Sequence, residues 1–232
     1  MKKLFGYFGK GEWALWIFSV LLIIISFAIF DRENVLTLIA SLIGATSLIF
    51  NAKGNPIGQA LTIVFSVLYG IISYECAYYG EMITYLGMTL PMAAFSLIAW
   101  LRNPYKGNRA QVKVNKLGGK EIAFMFVLAG AVTAAFYFIL QACNTANIIP
   151  STISVTTSFI AVYLTFRRSA LYALGYAAND IVLIVLWVMA AIEDKSYISV
   201  VICFAMFLLN DLYGFINWKK MERTQKGGQT QE

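Results

Sequence analysis

Eight apolar stretches, each close to the length of a bilayer crossing, divide this chain almost from end to end. They are Trp13–Phe30, Val35–Phe50, Ile57–Tyr74, Met82–Trp100, Ile122–Gln141, Ile148–Phe166, Ala170–Ile192 and Tyr197–Trp218. A helical crossing takes about 20 mostly apolar residues, since backbone N–H and C=O groups in hydrocarbon must bond one another. Eight crossings with short connections use nearly all of the 232 residues and leave no room for a soluble catalytic domain. Composition agrees: 59% of residues are hydrophobic and 13% charged, against about 45–50% and about 25% in soluble domains. The first stretch follows Lys2 and Lys3 as a signal peptide would. It is long, however, and no small-x-small cleavage site closes it before Asp31, so it reads as a retained helix. The expected fold class is an all-α integral membrane protein with eight transmembrane helices.

The missing residue types exclude several chemistries. There is no histidine, which removes Ser–His and Cys–His dyads, His-ligated metal and His proton relays. Cys76, Cys143 and Cys203 show no ligand spacing. Cys76 and Cys143 fall at the same membrane face, which leaves a bridge between them open beside the plainer reading of three free thiols. The chain is expected to be no enzyme and to need neither cofactor nor metal.

The net charge of +6 raises the question of nucleic acid, and its distribution answers it. Sixteen of the 18 Lys and Arg residues fall on one side of the eight spans: in the N-terminal tail, the second-to-third, fourth-to-fifth and sixth-to-seventh loops, and the C-terminal tail. The other side has Arg32 and Lys195 only, together with Asp31, Glu33, Glu75, Glu81, Glu193 and Asp194. By the positive-inside rule this places both termini in the cytoplasm, which requires an even number of spans. The charges orient a plasma (inner) membrane protein, and no nucleic-acid partner is expected.

The chain also compares with itself. Shifted by 116 positions, the second span meets the sixth: Ala45, Leu48 and Phe50 fall on Ala161, Leu164 and Phe166. Shifted by 118, the third and fourth meet the seventh and eighth: Glu75 falls on Glu193, Tyr79 on Tyr197, Ile98 on Ile216, Trp100 on Trp218 and Tyr69 on Trp187. The expected organisation is an N-terminal tail and extra helix (1–34), a three-helix repeat (35–101), a basic loop with one connector helix (102–147), a second three-helix repeat (148–218) and a tail (219–232). Such a 3+1+3 plan makes the repeats parallel, a transporter architecture with the substrate site between repeats near the midplane.

Polar residues at membrane depth mark where that site is expected. Gln59, Thr62, Ser66, Tyr69 and Ser73 share one face of the third span. Helix-to-helix hydrogen bonding is the plain reading for Thr62, Ser66 and Ser73, whereas Gln59 and Tyr69 offer larger groups to a ligand. The Ser/Thr-rich sixth span, from Ser151 to Ser158, reads as close packing and a wet outer vestibule. Asn179–Asp180 and Asn210–Asp211 are the only Asn–Asp pairs, and the two aspartates read as the only acids well inside a span. At about 1.5 Å per residue, Asn179 lies about 14 Å from the inner start of its helix and Asn210 about 20 Å from the outer start of its own, so in a core of about 30 Å the depths nearly coincide. A buried carboxylate faces a partner, the bundle interior or a cavity. Trp187 is placed to stack on a flat ligand or to pack, and Tyr213 follows Asn210 by three positions. Trp100 and Trp218 read as interfacial anchors beside basic residues, Arg167 and Arg168 as loop charges, and Pro91, with Gly87 beside it, as a kink or hinge. The candidate substrate-binding residues are Gln59, Tyr69, Asn179, Asp180, Trp187, Asn210, Asp211 and Tyr213. They suit a small, flat, polar molecule, cationic rather than phosphorylated because no arginine lies mid-membrane.

Tyr79-Gly80-Glu81, the Pro91-containing helix ending Ala99-Trp100, Asn179-Asp180 followed by Leu186-Trp187, and the run Asn210-Asp211-Leu212-Tyr213-Gly214-Phe215-Ile216-Asn217-Trp218 resemble the PnuC-type nicotinamide riboside transporters. The resemblance spans about residues 35–220 and is similar in plan to the SWEET sugar transporters. It implies facilitated diffusion of the NAD precursor nicotinamide riboside, trapping by a cytoplasmic riboside kinase, and a homotrimer in the lipid bilayer. Members of the same fold carry thiamine or riboflavin, so another vitamin remains open. So does a proton-coupled carrier using Asp180 or Asp211. A structural or sensory membrane protein is the reading from another class.

Overall fold

The computed structural model describes residues 6–145 and 147–227. Eight helices are long and apolar enough to cross a membrane: α1 (Lys10–Phe30), α2 (Val35–Ala52), α3 (Pro56–Glu75), α4 (Tyr79–Leu101), α5 (Gly119–Ala142), α6 (Ile148–Phe166), α7 (Tyr172–Glu193) and α8 (Ile198–Gly227).

Local chemistry sets their ends. The Asn34 side chain accepts from Thr37 N–H at 3.1 Å and starts α2; Asn55 accepts from Ile57 N–H at 3.0 Å and starts α3, with Pro56 in its first turn. These are the donors a helix start leaves unpaired, and proline there loses nothing. Between α3 and α4 the turn is only three residues. Ala77 is left-handed (φ 57°), and Tyr78 N–H returns to Ser73 O at 2.8 Å, a closure that satisfies the helix's last carbonyls. Gly54, Asn144 and Arg168 occupy the same left-handed position after α2, α5 and α6.

The tight turn starts α4 at Tyr79, three residues before the expected Met82, and this brings Glu81 into the helix. Within α4, Tyr85–Thr89 widens into a π-turn just before Pro91. The expected irregularity is therefore a π-bulge, which accommodates the proline's missing N–H.

α2 lies against α3 and α8, α6 against α5 and α7, α7 against α8, and α4 reaches from α3 to α6. α1 covers α8 and α2. α1 and α5 contribute few buried residues, and Phe124, Phe126, Val127 and Phe138 of α5 face outward. That is the surface of a helix in lipid, where apolar exposure carries no penalty.

Three differences from the sequence reading appear on the basic side. α8 continues to Gly227, well past the expected Trp218. The loop after α4 contains a hairpin, Pro104–Tyr105 paired with Asn108–Val112. Buried Val112 donates its N–H to Gly54 O at 2.9 Å, and Gln225 of α8 bonds Val112 O and Val114 N–H; the long α8 thus pins the hairpin under the bundle. Trp100 and Trp218 are not lipid-facing anchors: both are fully buried, their rings 5.3 Å apart. Trp100 Nε1–H donates to Thr165 O at 3.0 Å, Trp218 Nε1–H to Asn51 O at 2.8 Å. Trp100 thus ties the end of α4 to the last turn of α6, and Trp218 ties α8 to the last turn of α2. Arg167 is ion-paired with Glu121 of α5, and all three cysteines are free.

Candidate functional site

The polar residues at membrane depth gather in distinct places. Nearest the acidic face, Tyr69 of α3 and Trp187 of α7 are buried and joined, with Trp187 Nε1–H donating to Tyr69 Oη at 2.7 Å. Tyr85 lies 4.4 Å from Tyr69, with Phe65 and Phe204 each at 5.5 Å. Tyr78 and Tyr197 flank Trp187 at 5.1 and 5.4 Å. The ring of Trp187 is therefore already covered by tyrosines, and a stacking ligand has to displace one of them.

Deeper lies the Asn179–Asp180–Asp211 group, all three residues buried. Successive helix positions point about 100° apart, so Asn179 turns to α6 while Asp180 turns to α8. Asn179 Oδ1 accepts from Thr157 at 2.8 Å, Ser158 at 2.9 Å and, weakly, Ser154 at 3.4 Å. The hydroxyls of the sixth helix, expected to serve packing and a vestibule, form a cradle for this amide. Asp180 and Asp211 are within hydrogen-bonding reach of each other, and Asp180 Oδ2 has no donor.

The other candidates lie toward α1 and α2. Gln59 Nε2–H donates to Asn51 Oδ1 at 2.8 Å, and Asn51 Nδ2–H to Thr62 at 3.3 Å. Gly58 makes room for this, since a Cβ there would run into the Asn51 side chain. Asn210 Nδ2–H donates to Ser19 Oγ of α1 at 2.9 Å and to Met206 O at 2.7 Å, while its buried Oδ1 has no partner. Tyr213 is half-buried and donates to Glu12 Oε1 at 2.9 Å; Lys53 Nζ pairs with the same carboxylate at 2.9 Å. Gln59, Asn210 and Trp187, candidates for one ligand, each keep separate partners.

Sequence reasoning missed four participants: Asn51, Ser19, Glu12 and above all Glu81. Read as a loop charge, Glu81 is 1% exposed in the first turn of α4, so Asp180 and Asp211 are not the only acids inside a span. One signal was present: at Gly80 a Cβ would meet Leu140 Cδ2 at 2.7 Å, so a small residue beside the acid marks close helix contact. Among the described residues no Lys or Arg is buried, and there is no metal-type cluster of His, Cys, Asp and Glu.

On the acidic face a cavity of about 170 Å³ is bordered by Asp31, Glu75 and Tyr197. Beneath it a cleft of about 10 Å³ shares Thr37, Ile72 and Val200 and reaches Tyr69. In the loops of this face, burial pushes the Asp31 carboxyl above its ordinary range, and the charges of Asp194 and Glu33 add to that. Exposed Asp194 is held low by hydrogen bonds from Ser196. A larger cavity, about 460 Å³, is an apolar groove between α5 and α7 at the basic side. No candidate residue lines it, so size is a poor guide to the site here.

The chain is 25% identical to the nicotinamide riboside transporter PnuC of Neisseria mucosa over 231 residues, covering 97% of this chain and 87% of that protein. It is 24% identical to the nicotinamide riboside transporter PnuC of Haemophilus influenzae over 193 residues, 82% of this chain and 81% of that protein. The crystal structure of the vitamin B3 transporter PnuC superposes with a TM-score of 0.84 over 96% of both chains at 22% identity, which shows a shared fold. Residues 34–220 match the family described as nicotinamide mononucleotide transporter, and the chain belongs to that family of membrane transporters.

Proposed function

We propose that this protein imports nicotinamide riboside, the unphosphorylated cation, rather than the mononucleotide of the family's description. The observation that carries the reading is the charge of the interior: Glu81, Asp180 and Asp211 are buried, and among the described residues no Lys or Arg is. A phosphate entering such an interior would meet carboxylates and no cation, whereas a pyridinium riboside brings the complementary charge. The two PnuC relatives are described as nicotinamide riboside transporters, which supports the same choice. The test is calorimetry on purified protein with nicotinamide riboside, nicotinamide mononucleotide, thiamine and riboflavin side by side. Saturable binding of the riboside alone is expected; tighter binding of the mononucleotide or of another vitamin overturns the reading.

The proposed working unit is a homotrimer in the plasma membrane with both termini cytoplasmic, moving substrate by facilitated diffusion while a cytoplasmic kinase phosphorylates and traps it. Within the chain, α2–α4 and α6–α8 act as parallel three-helix units joined by α5. The reciprocal bonds from Trp100 to the end of α6 and from Trp218 to the end of α2 support this pairing. One observation favours a second reading, proton-coupled transport: a hydrogen bond between the Asp180 and Asp211 carboxyls needs a proton. Uptake into proteoliposomes with and without a pH gradient separates the two.

A further inference from the structure

Glu81 is a carboxylate without a reason in the fold. It is 1% exposed, neither oxygen has a donor at bonding geometry, and it takes part in no ion pair among the described residues. The Ser154 hydroxyl of α6 faces it, but that hydroxyl is already directed to Asn179 at 3.4 Å. Other buried polar atoms of α3 and α4 share the condition. Thr84 Oγ1, one turn along the same face of α4, and Ser73 Oγ, at the end of α3 that the Ala77 turn folds back, are buried without partners. Buried polar atoms are normally paired, and a group of them left open points to something that completes them.

The surroundings say what that is. Glu81 is close enough to act electrostatically on the hydroxyls of Tyr69 and Tyr85, and Tyr69 is bonded to Trp187. A carboxylate among tyrosine rings suits a diffuse organic cation, since aromatic faces attract positive charge and the acid can supply a counter-charge. It suits a ring whose positive charge carries no N–H, because the aromatic faces need no hydrogen-bond donor. A primary ammonium or guanidinium would instead need acceptors on several sides.

We propose that Glu81 is the counter-charge for the cationic aromatic ring of the substrate, in a subsite completed by Tyr69, Tyr85 and Ser154. This rests on the riboside reading above and adds what selects the charged form. The Glu81 side chain has no partner in the empty protein, so a cationic ring gains a counter-charge there that a neutral isostere of the substrate does not, and the isostere binds more weakly.

The test compares nicotinamide riboside with its reduced dihydro form, which has the same amide and ribose but no ring charge, by calorimetry on the intact purified protein. The wild type is expected to prefer the cation by about tenfold or more, the range of a truncated buried charge pair. Glu81→Gln is expected to lower affinity for the cation about 10- to 100-fold, leave the neutral form within about threefold, and so abolish the preference. A Glu81→Gln protein that keeps the full preference overturns the proposal, since Gln mimics the neutral acid. If that variant does not fold, the wild type still decides: equal binding of the two forms removes the counter-charge role. Binding of neither form by the wild type fails the riboside reading itself, which separates the two conclusions.

Discussion

Trp187 and Tyr69, 118 positions apart in the chain, are buried against each other and joined by a 2.7 Å bond from the indole N–H to the phenol oxygen. The offset is the one at which the chain matches itself, so equivalent positions of the two proposed units meet in the same hydrogen bond. In lipid, packing and interhelical hydrogen bonds hold helices together, and this bond joins α3 to α7 in the half of the bundle nearer the acidic face.

Tyr69→Phe should therefore destabilise the protein, because it leaves the Trp187 N–H buried without an acceptor. The expected cost is about 1–3 kcal/mol, read as a lower melting temperature in detergent. Trp187→Phe removes the donor and part of the ring, and the double variant should cost less than the sum of the two. Trp187→Ala is a poor probe of binding, since Trp187 is 0% exposed and truncating a buried tryptophan costs about 3–5 kcal/mol. Additive losses in the cycle would mean that the bond contributes nothing.

A similar argument applies at the basic side. Trp100→Phe keeps most of the ring but loses the bond to Thr165 O. Its melting temperature should fall while riboside affinity stays within about threefold, which is under 1 kcal/mol. A large loss of affinity with an unchanged melt would place Trp100 in the substrate path instead.

The extra helix α1 should prove structural. Glu12 accepts from Lys53 and Tyr213, and its side chain is 8% exposed; Ser19 accepts from Asn210. Lys53→Ala leaves a nearly buried carboxylate short of its cation and should destabilise the protein more than Tyr213→Phe, with Lys53→Arg restoring much of the loss. Equal melting temperatures for Lys53→Ala and wild type would show that this end of α1 is held by its aromatic contacts, Tyr7 and Phe8 against Phe50.

What was legible in the sequence was whatever hydropathy and charge decide. The eight spans are set by the absence of water around the backbone, and Asp180 and Asp211 stood out because an acid inside a span has few harmless places to be. Glu81 was not legible because its depth depends on a three-residue turn and on Ala77 taking a left-handed conformation, neither of which apolar periodicity records. Trp100 and Trp218 were misread because a tryptophan beside basic residues looks the same whether it faces headgroups or another tryptophan. The hairpin and the end of α8 are polar segments that order each other through Gln225 and Val112, a tertiary effect outside the reach of local pattern. Gln59, Asn210 and Trp187 are all buried, yet they are not neighbours, because sequence says nothing of the rotation of each helix about its axis.

The topology has a direct check. With both termini cytoplasmic, a cysteine at Asp194 should react with an impermeant reagent added outside, and one at Lys113 should react only after the membrane is opened. Asp194 is the right outer position, since it is solvated and bonded only locally, to Ser196. Labelling of the Lys113 position from outside would invert the assignment.

The Asp180–Asp211 contact gives the last prediction. If it is a structural bond, an amide can replace one carboxyl, because an asparagine N–H donates to the remaining carboxylate without a titrating proton. Asp211→Asn should then fold and transport, whereas Asp211→Ala should lose stability by leaving Asp180, 3% exposed, without its partner. In proteoliposomes held at zero membrane potential, a passive carrier brings the riboside cation to the same concentration inside as outside whatever the pH on either side. Wild type and Asp211→Asn should therefore both reach that end point with and without an inward proton gradient, and Asp211→Asn should differ only in rate. Accumulation above the outside concentration by the wild type, driven by the gradient and lost in Asp211→Asn, would make the pair a proton carrier and replace facilitated diffusion with coupled transport.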